Sequence, residues 1–172
     1  MSGALIVTAA LGQDDLSWLN SERTEHFPPE RNYLKAHLTM FHALPPSCED
    51  EVGRLLATLA SEFAPPAARL SEVMFMGRGV AYRVHSDELQ AIRSAIQARF
   101  EGMLTAQDQG GWRPHVTIQN KVDKDVARAL YDQKKAAFDP RALAIRGLTL
   151  NRYLGGPWEE LGSWSFRGKA RA

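Results

Sequence analysis

Two short segments of the chain share one alternating pattern, KAHLTMFHAL at residues 35–44 and RPHVTIQNKV at residues 113–122. Side chains along a β-strand point alternately to its two faces. Leu38 and Met40 therefore lie on one face of the first segment, and the second segment has apolar residues at the matching positions. Because an apolar face must be covered by other parts of the protein, the pattern predicts two strands with one buried face each.

The other face of each strand carries a cation, an imidazole and a hydroxyl in the same order. The two rows are Lys35, His37 and Thr39, and Arg113, His115 and Thr117. Imidazole gives or takes a proton near neutral pH, and hydroxyls donate hydrogen bonds to phosphate oxygens without adding charge. If the two rows face each other, they form a phosphate site with a proton donor on one side and a proton acceptor on the other. Such a site needs no metal and no cofactor.

The predicted elements follow the same order around both of these strands. A His-x-Thr strand, a helix and a hairpin occur at residues 35–85 and again at residues 113–167, although the two halves share little sequence beyond the motif. This repeat predicts an α+β protein in which two similar units pack side by side, with helices outside the sheets. The helices are predicted near residues 15–21, 48–64, 87–103 and 125–137, and further strands near 4–11, 69–76, 80–85, 142–154 and 161–168.

The composition is that of one compact domain over residues 1–172 with no strong overall charge. The 21 Lys and Arg residues and 20 Asp and Glu residues leave a formal net charge of +1, which does not favour a nucleic-acid or membrane partner by itself. The single cysteine, Cys48, excludes an internal disulfide and fits a reducing compartment. The apolar N-terminal segment meets Asp14 and Asp15 too early for a signal peptide or a membrane span. We therefore expect a cytoplasmic monomer with no membrane partner.

Three other side chains have their own predictions. His42 follows His37 by five residues, so on a regular strand it points to the opposite face and takes no part in catalysis or in a zinc site. Tyr153 is a candidate to stack on a nucleic-acid base, whereas Trp158 is predicted to pack in the core.

The two motifs, HLTM at residues 37–40 and HVTI at residues 115–118, resemble those of the two-histidine (2H) phosphoesterase superfamily, in particular its bacterial 2′-5′ RNA ligase-like branch. The longer segments RNYLKAHLTMFHALP, WRPHVTIQNKV and RYLGGPWEEL also resemble parts of that branch. The resemblance implies a bilobal fold with pseudo-two-fold symmetry, in which antiparallel or mixed sheets flank a central cleft. The two lobes are built around the strands at residues 35–44 and 113–122.

The resemblance also implies an activity and its residues. The activity is metal-independent phosphodiester cleavage at 2′,3′-cyclic phosphate RNA ends or nucleotides, or at 2′-5′ linkages, with 2′-5′ RNA ligation as the reverse reaction. His37 and His115 are the acid/base pair, and substrate contacts come from Thr39, Thr117, Lys35, Arg113 and Tyr153. The partner is an RNA terminus or a small cyclic nucleotide.

Some alternatives stay open from the sequence. The resemblance favours His115 as the base that activates water and His37 as the acid that protonates the 3′ leaving oxygen, but the pseudo-symmetry permits the reverse. Many relatives have an arginine where this chain has Asn120, which bears on the substrate. A non-catalytic RNA- or nucleotide-binding module that keeps the same pocket is the alternative function.

Overall fold

The computed structural model describes residues 3–169, which contain eight β-strands and five α-helices. The strands are β1 (Leu5–Leu11), β2 (Leu38–Leu44), β3 (Arg69–Phe75), β4 (Val80–His85), β5 (His115–Gln119), β6 (Arg141–Ala142), β7 (Ile145–Tyr153) and β8 (Trp158–Ser165). The helices are α1 (Gln13–His26), α2 (Glu49–Glu62), α3 (Asp87–Arg99), α4 (Ala106–Gln109) and α5 (Lys124–Ala137). Short 3₁₀ turns occur at Pro29–Arg31 and Pro46–Cys48.

The strands form two four-stranded sheets, which confirms the predicted α+β class. Their strand orders are β2-β1-β7-β8 and β5-β4-β3-β6. All the described pairings are antiparallel, so the predicted option of mixed sheets does not occur among residues 3–169. Helix α2 packs against β7 and β8, and α5 packs against β3 and β4.

The duplication is visible in the order of elements along the chain. The succession β1-α1-β2-α2-β3 has the same form as β4-α3-β5-α5-β7, with a His-x-Thr motif at the third element of both halves. The last strand of each half pairs with the first strand of the other half. Strand β3 of the first half lies beside β4, and β7 of the second half lies beside β1. The prediction of two units packed side by side missed this exchange. We call it the strand exchange.

The helices form where the sequence places apolar residues on one face. Val52, Leu56 and Leu59 of α2 are buried, and α3 buries its own apolar stripe in the same way. The side chain of Ser86 caps α3 by accepting a hydrogen bond from the backbone N–H of Leu89 at 3.1 Å. Among residues 3–169, none of the helices combines the length and apolar character that crossing a membrane requires.

Some element boundaries differ from the prediction. Strand β2 begins at Leu38, so Lys35 and His37 precede the regular strand. Strand β8 begins at Trp158, inside the segment that was predicted as a turn. The short elements α4 and β6 were not predicted, because four residues or fewer carry no readable periodicity.

Both strands that carry a His-x-Thr motif have a β-bulge just after the threonine. The β1–β2 register shifts by one residue between Thr39 and Phe41, and the β4–β5 register shifts between Thr117 and Gln119. A bulge inserts one residue and so reverses the alternation of side chains beyond it. Phe41 and Gln119 are buried as a result, and the exposed face resumes one residue later.

Two glycines have separate roles in the β3–β4 hairpin, one in its turn and one where β4 approaches β5. Gly77 has a φ of +83°, in the left-handed region that favours glycine, and it lies in the predicted turn. A Cβ atom on Gly79 would collide with the carbonyl of Gln119. The absence of a side chain at Gly79 therefore lets the start of β4 approach the bulged end of β5.

Candidate active site

The two motif histidines are held by the same hydrogen bond in both halves. Nδ1 of His37 lies 2.8 Å from the backbone oxygen of Lys35, and Nδ1 of His115 lies 2.7 Å from the backbone oxygen of Arg113. A carbonyl oxygen only accepts, so Nδ1 carries the proton in both neutral rings. Each ring therefore presents Nε2 as its free nitrogen, with a fixed orientation.

The two motifs lie where the two sheets meet. Strands β2 and β5 are edge strands of their sheets, and they contact each other. Thr39 and Thr117 are half-buried, while the residues on either side of them are buried. The structure thus places the two His-x-Thr motifs on contacting edge strands of the two sheets.

Two buried arginines join the halves directly behind the cleft. Nη1 of Arg23 on α1 donates to the backbone oxygen of Thr117 at 3.1 Å, and Nε of Arg93 on α3 donates to the backbone oxygen of Met40 at 3.0 Å. Each arginine therefore reaches from a helix of one half to the motif strand of the other half. Sequence reasoning missed this pair, because an arginine in an amphipathic helix is ordinarily a surface residue.

The first motif strand is also held by the segment that leads into β5. Nε1 of Trp112 donates to the backbone oxygen of Thr39 at 3.0 Å. The guanidinium of Arg93 lies 5.4 Å from the Trp112 ring and 4.6 Å from the Phe41 ring. Trp112 therefore packs and bonds within the protein, behind the bulge of β2.

Burial lowers the pKa of the His37 imidazole to about 4, although the hydrogen bond to the Lys35 carbonyl acts in the opposite direction. The positive charges of Arg23, His115 and His42 lower this pKa further. His37 is therefore a neutral imidazole in the free protein at pH 7, with a lone pair on Nε2.

This lowered pKa predicts that acid destabilises the protein through His37. Between pH 6.5 and about 4 the unfolded chain binds a proton on this imidazole and the folded protein does not, so stability falls as the pH falls through that window. Denaturant unfolding measured from pH 7 to pH 4 should show a larger loss for the wild type than for His37→Asn. His85→Asn, on an exposed histidine of β4, is the control for losing a surface imidazole. Identical losses in wild type and His37→Asn would contradict the prediction.

A polar groove opens beside His37 on the first sheet. Its volume is about 620 Å³, and its floor includes Thr8, Thr149 and Asn151, which are all buried. Trp158 forms one wall, with its ring centroid 4.7 Å from that of His37. Trp158 is only partly buried, so it lines the groove instead of filling the core as predicted.

The other predicted substrate contacts differ in whether they line this groove. Lys35 lines it, and Arg113 is exposed at the start of the second motif. Tyr153 is the backbone partner of Trp158 in the β7–β8 ladder, and the aromatic wall of the groove comes from Trp158.

The sequence predicted that His42 points to the face of the strand opposite His37, and the bulge of β2 makes this wrong. Phe41 is fully buried one residue after the bulge begins, and His42 returns to the accessible face with a side chain that is 40% exposed. Its Nδ1 lies 3.0 Å from Oδ1 of Asp108, a buried residue of α4. The positive charge of His42 is one of the causes that lower the pKa of His37. The regular alternation assumed from the sequence fails here because of the extra residue.

Within residues 3–169, one cluster of side chains could offer ligand atoms to a metal ion, and it lies on α1. It consists of Glu22, Glu25 and His26. The Glu22 carboxylate already accepts hydrogen bonds from Nζ of Lys134 at 2.7 Å and from the hydroxyl of Tyr82 at 2.6 Å. Burial raises the pKa of Glu22, but these bonds outweigh burial and lower it overall. The arrangement is that of a buried ion pair that joins α1 to α5.

Comparisons with known proteins agree with this architecture. A family profile described as the 2′-5′ RNA ligase superfamily matches residues 13–157. The comparison with curated protein sequences finds no match. The crystal structure of TT0787 of Thermus thermophilus has a TM-score of 0.67 at 17% identity, and the match covers 97% of this chain and 100% of that chain.

Structures of E. coli LigT match over almost their whole length as well. LigT complexed with 3′-AMP has a TM-score of 0.63 at 17% identity, covering 96% of this chain and 99% of that chain. LigT complexed with NADP⁺ has a TM-score of 0.61 at 16% identity, covering 97% and 99%. At these identities the likeness is one of fold. The family profile, however, spans most of the chain and both His-x-Thr motifs, and on that ground the chain belongs to the 2′-5′ RNA ligase superfamily.

Proposed function

We propose that the protein is a metal-independent phosphodiesterase that acts on 2′,3′-cyclic phosphates of RNA ends or nucleotides, or on 2′-5′ linkages, with His37 and His115 as its acid/base pair. The observation that carries the proposal is the matched anchoring of the two rings. Both imidazoles donate Nδ1–H to a backbone carbonyl and keep Nε2 free, and the strands that carry the two motifs contact each other. Two oriented nitrogens of this kind suit proton transfer at the two ends of a displacement at phosphorus. Ligation of RNA termini in a 2′-5′ linkage is the matching displacement, in which a 5′-hydroxyl attacks the cyclic phosphate in place of water and the 3′ oxygen leaves.

The proposed hydrolysis balances with one water molecule. Nε2 of one histidine takes a proton from water, and the water oxygen attacks phosphorus. The bond from phosphorus to a ribose oxygen breaks, and Nε2–H of the other histidine protonates that oxygen. The hydroxyls of Thr39 and Thr117 donate to the nonbridging oxygens as their charge grows. The side chains of Lys35 and Arg113 add positive charge at the edges of the site.

The groove supports His37 as the acid and His115 as the base. In a 2′,3′-cyclic phosphate the leaving oxygen belongs to the ribose, so the nucleoside lies on the same side as the acid. The groove lies beside His37, and Trp158 offers a ring for base stacking within it. With the 3′ oxygen as the leaving group, the product is a 2′-phosphate.

The low pKa of free His37 is compatible with this acid role once a phosphate is bound. A phosphate anion about 4 Å from an imidazolium contributes about 4 kcal/mol at an effective dielectric constant of about 20. That attraction favours the protonated ring and opposes the burial that lowers the pKa in the free protein. Substrate binding would therefore supply His37 with the proton that it later donates.

Turnover of 2′,3′-cyclic AMP by the purified protein in the presence of excess EDTA tests the proposal. We expect a nucleoside monophosphate product and a rate that EDTA does not change, because both proton transfers are assigned to side chains. The double variant His37→Ala/His115→Ala, purified in parallel, controls for contaminating ribonuclease. Loss of activity in EDTA and its recovery with zinc or magnesium would indicate a metallohydrolase instead.

The two threonines are expected to contribute less than the histidines. Thr39→Val and Thr117→Val keep the shape of the side chain and remove one neutral hydrogen-bond donor, which is worth about 0.5–1.5 kcal/mol. We expect each variant to lose about 2- to 13-fold in kcat/KM, shared between affinity and turnover. Steady-state kinetics measure this. Wild-type kinetics in both valine variants would remove the hydroxyls from the phosphate site.

A further inference from the structure

We propose that His42 binds a second phosphate of the substrate, next to the phosphate held by the two motif histidines. The substrate would then be an RNA terminus with a phosphodiester chain, in preference to a free cyclic mononucleotide. This inference rests on the proposed function and names the substrate class of the same cleft.

The bulge of β2 is the first support, because it aligns His42 with the motif. The register shift between Thr39 and Phe41 makes His37, Thr39 and His42 the successive accessible positions along the strand. Successive positions on one face of a strand are about 6.6 Å apart. His42 therefore lies one such step beyond Thr39 and about two steps beyond His37, at a place suited to the next phosphate along a chain.

The second support is the structure built to hold this one imidazole. Asp108 is 0% exposed, and its carboxylate accepts hydrogen bonds from the backbone N–H of His42 at 2.9 Å and of Ala43 at 3.0 Å. The same carboxylate accepts from Nδ1 of His42 at 3.0 Å. Because the carboxylate only accepts, Nδ1 carries the proton and Nε2 of His42 faces outward.

Buried charge keeps this arrangement in place. Burial raises the pKa of Asp108, but the hydrogen bonds from His42 and Ala43 outweigh burial and lower it overall, so the group is a carboxylate at neutral pH. The guanidinium of Arg93 donates to the backbone oxygens of Asp108 and Met40 at 2.9 and 3.0 Å. Two buried charged residues thus fix the position of an imidazole that is itself accessible.

The distribution of charge along the cleft favours a chain of phosphates on the β2 side. Lys35, His37 and His42 form a row of basic groups along β2 and the residues before it. The equivalent of His42 in the second motif is Asn120, which directly follows β5, five residues after His115, and carries no charge. Basic rows of this kind bind the backbone of single-stranded nucleic acid.

Equilibrium binding to the intact protein tests the inference without relying on turnover. The probes are a short single-stranded RNA that ends in a 2′-phosphate and the matching nucleoside 2′-monophosphate, both at about pH 6, where imidazoles are commonly charged. We expect His42→Ala to raise the dissociation constant for the RNA about tenfold. The dissociation constant for the monophosphate should rise by a several times smaller factor. The slope of log affinity against log salt for the RNA should fall by about 0.7, the value for one lost phosphate contact on a single strand.

Two matched variants separate binding from folding. His42→Asn keeps a side-chain N–H for Asp108 and removes the imidazole, so it should reproduce the loss of salt dependence with an unchanged melting temperature. His85→Ala removes an exposed histidine of β4 and should leave the RNA slope unchanged. The inference would be overturned if His42→Ala weakened binding of the RNA and of the monophosphate by the same factor. It would also be overturned if this variant left RNA affinity and its salt slope unchanged. Absence of turnover with these binding differences intact would refute the proposed function and leave the second phosphate site standing.

Discussion

Replacing His37 or His115 with alanine is expected to lower the turnover of a 2′,3′-cyclic nucleotide by about 10²- to 10⁴-fold, the usual worth of one general acid or base. Each ring is held through Nδ1 and keeps Nε2 free, and alanine leaves no group to move the proton. Binding of the nucleoside monophosphate should change much less, because the threonine hydroxyls and neighbouring cations remain. Single-turnover kinetics and equilibrium binding measure the two effects separately.

The double variant makes this prediction stricter. If the two histidines act as one unit, removing both should cost little more than removing one, since effects of such groups are strongly non-additive. His85→Ala, in the same protein, should retain wild-type turnover. Full activity in either single variant would remove the catalytic pair, whereas nucleotide binding without turnover in the wild type would favour the non-catalytic binding module.

Replacing the buried Arg93 with methionine is expected to destabilise the protein by about 2–4 kcal/mol. Methionine keeps the packing against Phe41 and Trp112 but leaves the backbone oxygens of Met40 and Asp108 without their donor. Each unpaired buried acceptor costs about 1–3 kcal/mol, and the Asp108 carboxylate loses a nearby positive charge. In a chain of this size the melting temperature should fall by roughly 4–16 °C.

A control for this substitution lies on the same helix. Arg99 is more than half exposed in its side chain and pairs with Glu51 at the surface, so Arg99→Met should change stability by less than about 1 kcal/mol. Denaturant unfolding of both variants, with unchanged m-values, gives the comparison. Similar small losses in Arg93→Met and Arg99→Met would mean that the bulge does not depend on Arg93.

Local patterns were enough to predict the parts of the site that depend on one strand at a time. The alternation in HLTM and HVTI predicted which residues are buried, and Leu38, Met40, Val116 and Ile118 are all buried. Helical spacing predicted α2 and α3 within a few residues at each end. These features follow from the periodicity of side chains about a helix or strand, which is written in neighbouring residues.

The features that depend on distant parts of the chain could not be predicted in this way. The bulge that moves His42 to the accessible face is a property of the β1–β2 register. Asp108 holds His42 from a four-residue helix that lies 66 positions away. Arg23 and Glu22 are adjacent, and both are buried by contacts with β5, β4 and α5, although the sequence around them reads as an ordinary surface helix.

The strand exchange also bears on how the chain folds during synthesis. Strand β1 is synthesised before its partner β7, which follows more than 130 residues later, so that Leu5 pairs with Arg152. Until then β1 has an open edge, and the first half of the chain cannot close its own sheet. Contacts of such long sequence separation slow folding and make it an all-or-none event for the whole chain. A cut between β3 and β4 should therefore yield two fragments that are each unfolded alone and fold only when mixed.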